Sequence, residues 1–150
     1  MIKAQKRARQ ILRKYNLSTA PIDINKIVTA EGLTLDEWSF SGRVKEVYLG
    51  DHIGICSHIA DNKRRELIAH ALGHHFLHQG NHFFLESCDQ FVAFKQEHEA
   101  QCFASELLMP KEQLLQIKDQ PLPMIAHHFR VTEDFIKLGF GTVQKGGLCH

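Results

Sequence analysis

The sequence predicts an α+β domain. A small three-stranded antiparallel sheet is expected to pack on a helix carrying an H-x-x-x-H pair, with helices before it and a helical pair after it. Three observations point there. Residues 33–56 carry short runs of period-two alternation broken by Ser41-Gly42 and Gly50-Asp51. Residues 65–78 have helical length, no proline, and histidines at 70 and 74. Residues 97–109 and 124–140 repeat their apolar side chains at helical spacing. At 150 residues the chain reads as one domain, 1–150, with a helix-turn-helix-like appendage at 121–140 inside it.

Residues 2–15 set Ala4, Ala8, Ile11, Leu12 and Tyr15 on one face, against a basic face that includes Lys3, Lys6, Arg7, Arg9 and Arg13. After Ser18-Thr19-Ala20-Pro21, a short helix is expected from about Asp23 to Ala30, with Gly32 as its stop. Three strands follow, at 33–40, 44–49 and 52–56, and read as a meander. Three strands cannot bury themselves, so a helix must cover one face. The next segment supplies it, from about Asp61 as N-cap to His78, with Gly80 as stop. Residues 80–93 read as a loop with an aromatic patch (Phe83, Phe84, Leu85, Phe91) that either covers the core edge or forms a flap or substrate wall.

A further helix through Glu97 ends before Pro110, and a short one runs on to about Ile117. Residues 119–123 read as a proline-stiffened linker. Residues 124–140 read as helix, tight turn, helix, with Thr132 capping the second, and 141–150 as a frayed tail.

Composition excludes several functions. Hydrophobic residues are 43% of the chain and the formal net charge is +1, so no broad field draws nucleic acid or a membrane surface. No apolar run approaches the ~20 residues of a membrane span, and no apolar leader opens the chain. Cys56, Cys88, Cys102 and Cys149 form no C-x-x-C pair, so reduced thiols and a cytoplasmic location are expected. The closing helical pair has few basic side chains and is expected to pack rather than to read DNA.

The chemistry concentrates on the central helix. Four residues separate His70 from His74, which stacks two imidazoles one turn apart on one face. Two neutral imidazoles so placed can each ligate one zinc ion at about 2.0–2.1 Å. His74 and His78 make a second such frame, whereas His75 has no partner at that spacing. The H-E-x-x-H motif of zinc peptidases adds a glutamate after the first histidine, as the base that takes a proton from metal-bound water. Here that position is Ala71. A third ligand must come from elsewhere, and a carboxylate on the helix around residue 99 is placed to return to the site.

Ala69-His70-x-Leu72-Gly73-His74, followed by Glu97-x-Glu99-Ala100-x-x-Phe103-Ala104-x-x-Leu107-Leu108-Met109-Pro110, resembles the ImmA/IrrE family of zinc metallopeptidases. The resemblance covers roughly residues 5–138. It implies a zincin-like fold and a zinc ion held by His70, His74 and Glu99, with Glu97 the lesser candidate because Glu99 directly precedes Ala100. It also implies an endopeptidase that acts inside bacteria on transcriptional repressors.

Ala71 departs from that pattern. A positioned general base contributes about 10²–10⁴-fold, so hydrolysis should be crippled while the ligands remain. Three explanations stand: an alanine introduced to trap an inactive form, a natural pseudoenzyme that binds a regulator without cutting it, or a stand-in base. Glu66 lies one turn before His70 and sits behind the ligand; His75 and His98 are further candidates. His78 is expected to support a ligand or to lie at the surface, and Cys102 to be a small buried thiol. The sequence leaves the oligomeric state open.

Overall fold

The computed structural model describes residues 3–38, 46–78 and 90–144. Helix α1 (Lys3–Lys14) buries Ala4, Ala8, Ile11 and Leu12, the face set by its periodicity. Helix α2 (Ile24–Ala30) is capped by Asp23, whose carboxylate accepts from the Lys26 amide. The chain leaves it through Gly32 at φ +70, a backbone that side-chain-bearing residues rarely adopt.

Strands β1 (Thr34–Trp38), β2 (Glu46–Leu49) and β3 (His52–Cys56) form the expected three-stranded sheet. It is mixed rather than a meander. Its order is β1-β3-β2, with β1 parallel to β3 and β2 antiparallel to β3. The reason lies in β3. Ile53 and Ile55 are fully buried, so this strand takes the centre, while charged Asp36, Glu37 and Glu46 fall on the edge strands. Gly54 sits under the Trp38 ring, where a Cβ would come within 2.6 Å of it.

Helix α3 (Asp61–Leu77) covers the sheet and packs on α4 (Gln90–Leu108). Its N-cap is Ala60, with no side-chain cap; Asp61 instead lies within the first turn, where its charge favours the helix dipole. Helix α5 (Lys111–Ile117) starts after Pro110. Helix α6 (Leu122–Phe129) begins earlier than expected, because Pro121 and Pro123 occupy its N-cap and first turn instead of forming a linker. Helix α7 (Glu133–Gln144) runs into the segment expected to be a frayed tail.

The α6–α7 pair is tied to α3 by side chains of Asn62, Arg65 and Glu66. Arg65 donates to the carbonyls of Ile22, Phe129 and Arg130 at 2.9, 3.4 and 3.1 Å. Glu66 accepts from the Thr132 amide at 2.6 Å, and Thr132 Oγ1 caps Phe135. Ile125, Phe129, Val131, Phe135 and Ile136 are buried.

The expected turn at Ser41-Gly42, the start of the second strand at 44–45, the aromatic residues at 83–85, Gly80, Cys88 and Cys149 lie outside the described residues. Cys102 is buried and disulfide-bonded, so the expectation of a free thiol there does not hold.

Candidate metal centre

The site is assembled on α3. His70 and His74 project from successive turns, with ring centroids 4.9 Å apart. His74 is almost fully buried and His70 largely so. Glycine at 73 sets what can reach them. A Cβ there would lie 2.8 Å from the Ala100 carbonyl oxygen, so only glycine lets α4 pass this closely. Further along, Phe76 stacks on Phe103 at 5.7 Å. Contacts at 73/100 and 76/103 advance together, so the two helices run in the same sense. One turn earlier on α4, that register brings Glu97 to the histidines.

Glu97 meets both. Its Oε1 is 2.8 Å from His74 Nε2 and its Oε2 is 3.0 Å from His70 Nε2. Glu99, two residues on, lies on another side of α4. Its Oε1 is 3.5 Å from His78 Nε2. His78 in turn places Nδ1 3.2 Å from His74 Nδ1. The structure thus brings His70, His74 and Glu97 together and sets Glu99 behind His78, one residue removed from the pair it was expected to join. The cause is helical geometry: residues two apart differ by about 200° around the axis, so one helix cannot aim both carboxylates at one point.

A fourth group comes from the sheet. Glu46 on β2 places Oε1 2.8 Å from His70 Nδ1. Glu46, His70 and His74 hold ligand atoms all within 4.8 Å of one another. Glu46 Oε2 is buried without a hydrogen-bond partner among the described residues. No sequence signal singled out Glu46, which is one charged residue on a strand 24 positions from His70.

Electrostatics follow from this crowding. Burial alone would disfavour a charged His70, but its hydrogen bonds to Glu46 and Glu97 outweigh burial and hold its pKa up to about 10. Burial likewise works against charge on Glu97, and the bonds to His70 and His74 reverse it, holding this carboxyl well below the usual range. Two imidazole nitrogens and a carboxylate, with a further buried carboxylate oxygen lacking a partner, form a donor set suited to a divalent ion of the zinc type. Such an ion would replace the protons now shared between these groups.

The remaining candidates have other partners. Ala71 is fully buried in the apolar core. Glu66 serves the start of α7, as described. His75 belongs to a separate network: Nδ1 meets Tyr48 Oη at 2.8 Å and Nε2 meets Glu31 Oε1 at 2.9 Å, while Glu31 also accepts from Tyr15 Oη. His98 Nε2 lies 3.8 Å from Cys102 Sγ.

A cavity of about 240 Å³ opens beside His70, walled by Leu67, Phe135 and Leu138 with Lys63 and Asp134 at its edge. A larger one, about 510 Å³, lies between α1 and α5 around Arg9, Leu17 and Gln113. The smaller touches the donor set through His70 alone. Among the described residues no helix is long and apolar enough to cross a membrane.

Comparison with known proteins gives two matches. Residues 36–139 match the family of the IrrE N-terminal-like domain, a peptidase family. The Metallopeptidase ImmA of Bacillus subtilis (strain 168) is 39% identical over 71 residues, which is 45% of this chain and 40% of that protein. The aligned stretch thus spans well under two thirds of that relative.

Proposed function

Since the chain belongs to the IrrE N-terminal-like family of metallopeptidases, we propose that it is a zinc-dependent endopeptidase scaffold, strongly impaired in hydrolysis by Ala71. The observation that carries this is the meeting of His70 Nε2, His74 Nε2 and the Glu97 carboxylate at 2.8–3.0 Å. In this reading His70 and His74 hold the metal with a carboxylate from α4. The geometry favours Glu97 for that place, and the family resemblance favours Glu99. Bound zinc polarises a scissile carbonyl and lowers the pKa of its water. His70, His74 and an α4 carboxylate would hold the ion, and Ala71 offers no group that could accept a proton from water there. The substrate class is a bacterial transcriptional repressor, and the place of action is the cytoplasm; both rest on resemblance to the family.

A second reading is a natural pseudoenzyme that grips a regulator without cutting it. Complete burial of Ala71 in the apolar core favours it, because the position is packed as an alanine.

Elemental mass spectrometry of the purified chain tests the shared core of both. About one zinc per chain, lost in His70→Ala and His74→Ala, is expected. A folded chain without metal overturns the proposal. Ala71→Glu then separates the two readings. Cleavage of a transcriptional repressor by that variant supports the peptidase scaffold, and binding without cleavage supports the pseudoenzyme.

A further inference from the structure

The α3 helix has lost the carboxylate that its motif would carry at position 71, yet a carboxylate still lies against its first histidine. It arrives from the sheet. Glu46 and Tyr48 are two apart on β2 and share one face, which the strand turns toward α3. Each holds an imidazole by Nδ1: Glu46 takes His70, and Tyr48 takes His75. In both cases a carboxylate takes Nε2: Glu97 for His70 and Glu31 for His75. The two pairs differ in one respect. The His75 pair leads through Glu31 to Tyr15. The His70 pair opens onto the donor set, and Glu46 keeps Oε2 buried without a partner among the described residues.

An unpaired buried carboxylate oxygen is costly, and such a group persists where another interaction requires it. The antiparallel pairing with β3 sets Glu46 opposite Ile55, whose full burial locks the register of the strand at that point. A one-residue slip would turn Glu46 to the other face.

From this geometry we infer that Glu46 is a positioning residue of the metal centre, holding His70 by Nδ1 so that Nε2 alone is presented to the ion. A carboxylate behind a ligating imidazole fixes ring orientation and strengthens the nitrogen as a donor. The inference rests on the metal-site reading above. It makes the sheet, and not only the two helices, part of the site. It also explains why β2 carries a charged side chain facing a largely buried part of the molecule.

The test measures zinc affinity by chelator competition on the full chain, for the parent and for Glu46→Ala, Glu46→Gln and Tyr48→Phe. Loss of about 10–100-fold is expected for Glu46→Ala, as for other groups that support a ligating histidine. Glu46→Gln, which keeps an acceptor oxygen without the charge, should fall between Glu46→Ala and the parent. Tyr48→Phe removes the neighbouring hydroxyl from the same strand face and should leave affinity unchanged. In the zinc-loaded parent, an imidazole N–H proton resonance assigned to His70 should be protected from exchange, and Glu46→Ala should abolish that protection. Equal affinity in parent and Glu46→Ala overturns the inference while leaving the metal site standing. An equal loss in Tyr48→Phe also overturns it, since strand docking would then be the cause. A folded parent that takes up no zinc overturns the metal reading, and this inference with it.

Discussion

The backbone of Ala100 passes so close to Gly73 that a Cβ at residue 73 would stand 2.8 Å from its carbonyl oxygen and 2.9 Å from its Cα. Backbone cannot yield as a side-chain tip can. This contact sets the α3–α4 distance beside His74 and about one turn from His70, and so determines whether an α4 carboxylate can span them. Gly73→Ala should push the helices apart, cost roughly 1–3 kcal/mol as overpacking does, and weaken metal binding. Urea denaturation beside chelator competition checks both. Unchanged metal affinity would show that the approach at 73 does not set the site.

The third ligand can be decided between two residues on one helix. Glu97→Ala should remove bound metal, because this carboxylate faces both imidazoles. Glu99→Ala should retain most of it, because Glu99 faces His78. Metal content per chain reads the difference, and the reverse pattern would restore the family-based assignment of Glu99.

The metal-free protein should show a stability plateau bounded on both sides. His70 has its folded pKa raised from 6.5 to about 10, so its contribution is complete below about 6.5 and is lost as pH rises toward 10. Glu97 has its folded pKa lowered from 4.5, so its contribution is complete above about 4.5 and is lost as pH falls further. Melting temperature should therefore be highest between about pH 4.5 and 6.5 for this pair. His70→Ala should flatten the alkaline limb, and saturating zinc should abolish it by taking the place of the proton. A metal-free profile that does not fall between pH 6.5 and 10 would contradict the His70 assignment.

Ala71→Glu should act in opposite directions on stability and activity. Position 71 is fully buried, so a new carboxylate there lacks solvent and should destabilise the metal-free chain by about 1–3 kcal/mol. With zinc bound the same group gains a partner, part of that cost is recovered, and hydrolysis should rise by about 10²–10⁴-fold over the parent. Differential scanning calorimetry with and without zinc reads the first effect, and peptide-bond cleavage the second.

Glu66 offers a control. Its carboxylate is buried, with Oε2 2.6 Å from the Thr132 amide and Oε1 3.7 Å from Lys63. Glu66→Ala should lower global stability by roughly 1–3 kcal/mol by orphaning the start of α7, with metal content unchanged. A loss of zinc in that variant would place Glu66 in the site, contrary to its present contacts.

Period and spacing were enough to place what is local. The face of α1, the stop at Gly32, the Thr132 cap, and His70 and His74 one turn apart all follow from side chains within a few residues of each other. The family resemblance was legible for the same reason, since its motifs are short helical spacings. What the sequence left open depends on how separate segments pack. Alternation over residues 33–56 describes three strands, but their order is decided by which strand loses most by exposure; β3, with Ile53 and Ile55, took the centre. On α4 the family resemblance put Glu99 ahead of Glu97, whereas the packing of α4 against Gly73 brings the Glu97 carboxylate to both imidazoles. Glu46 carries no local signature at all. It reaches His70 because strand register aims it there, and register is a property of the packed sheet, not of the strand's own residues.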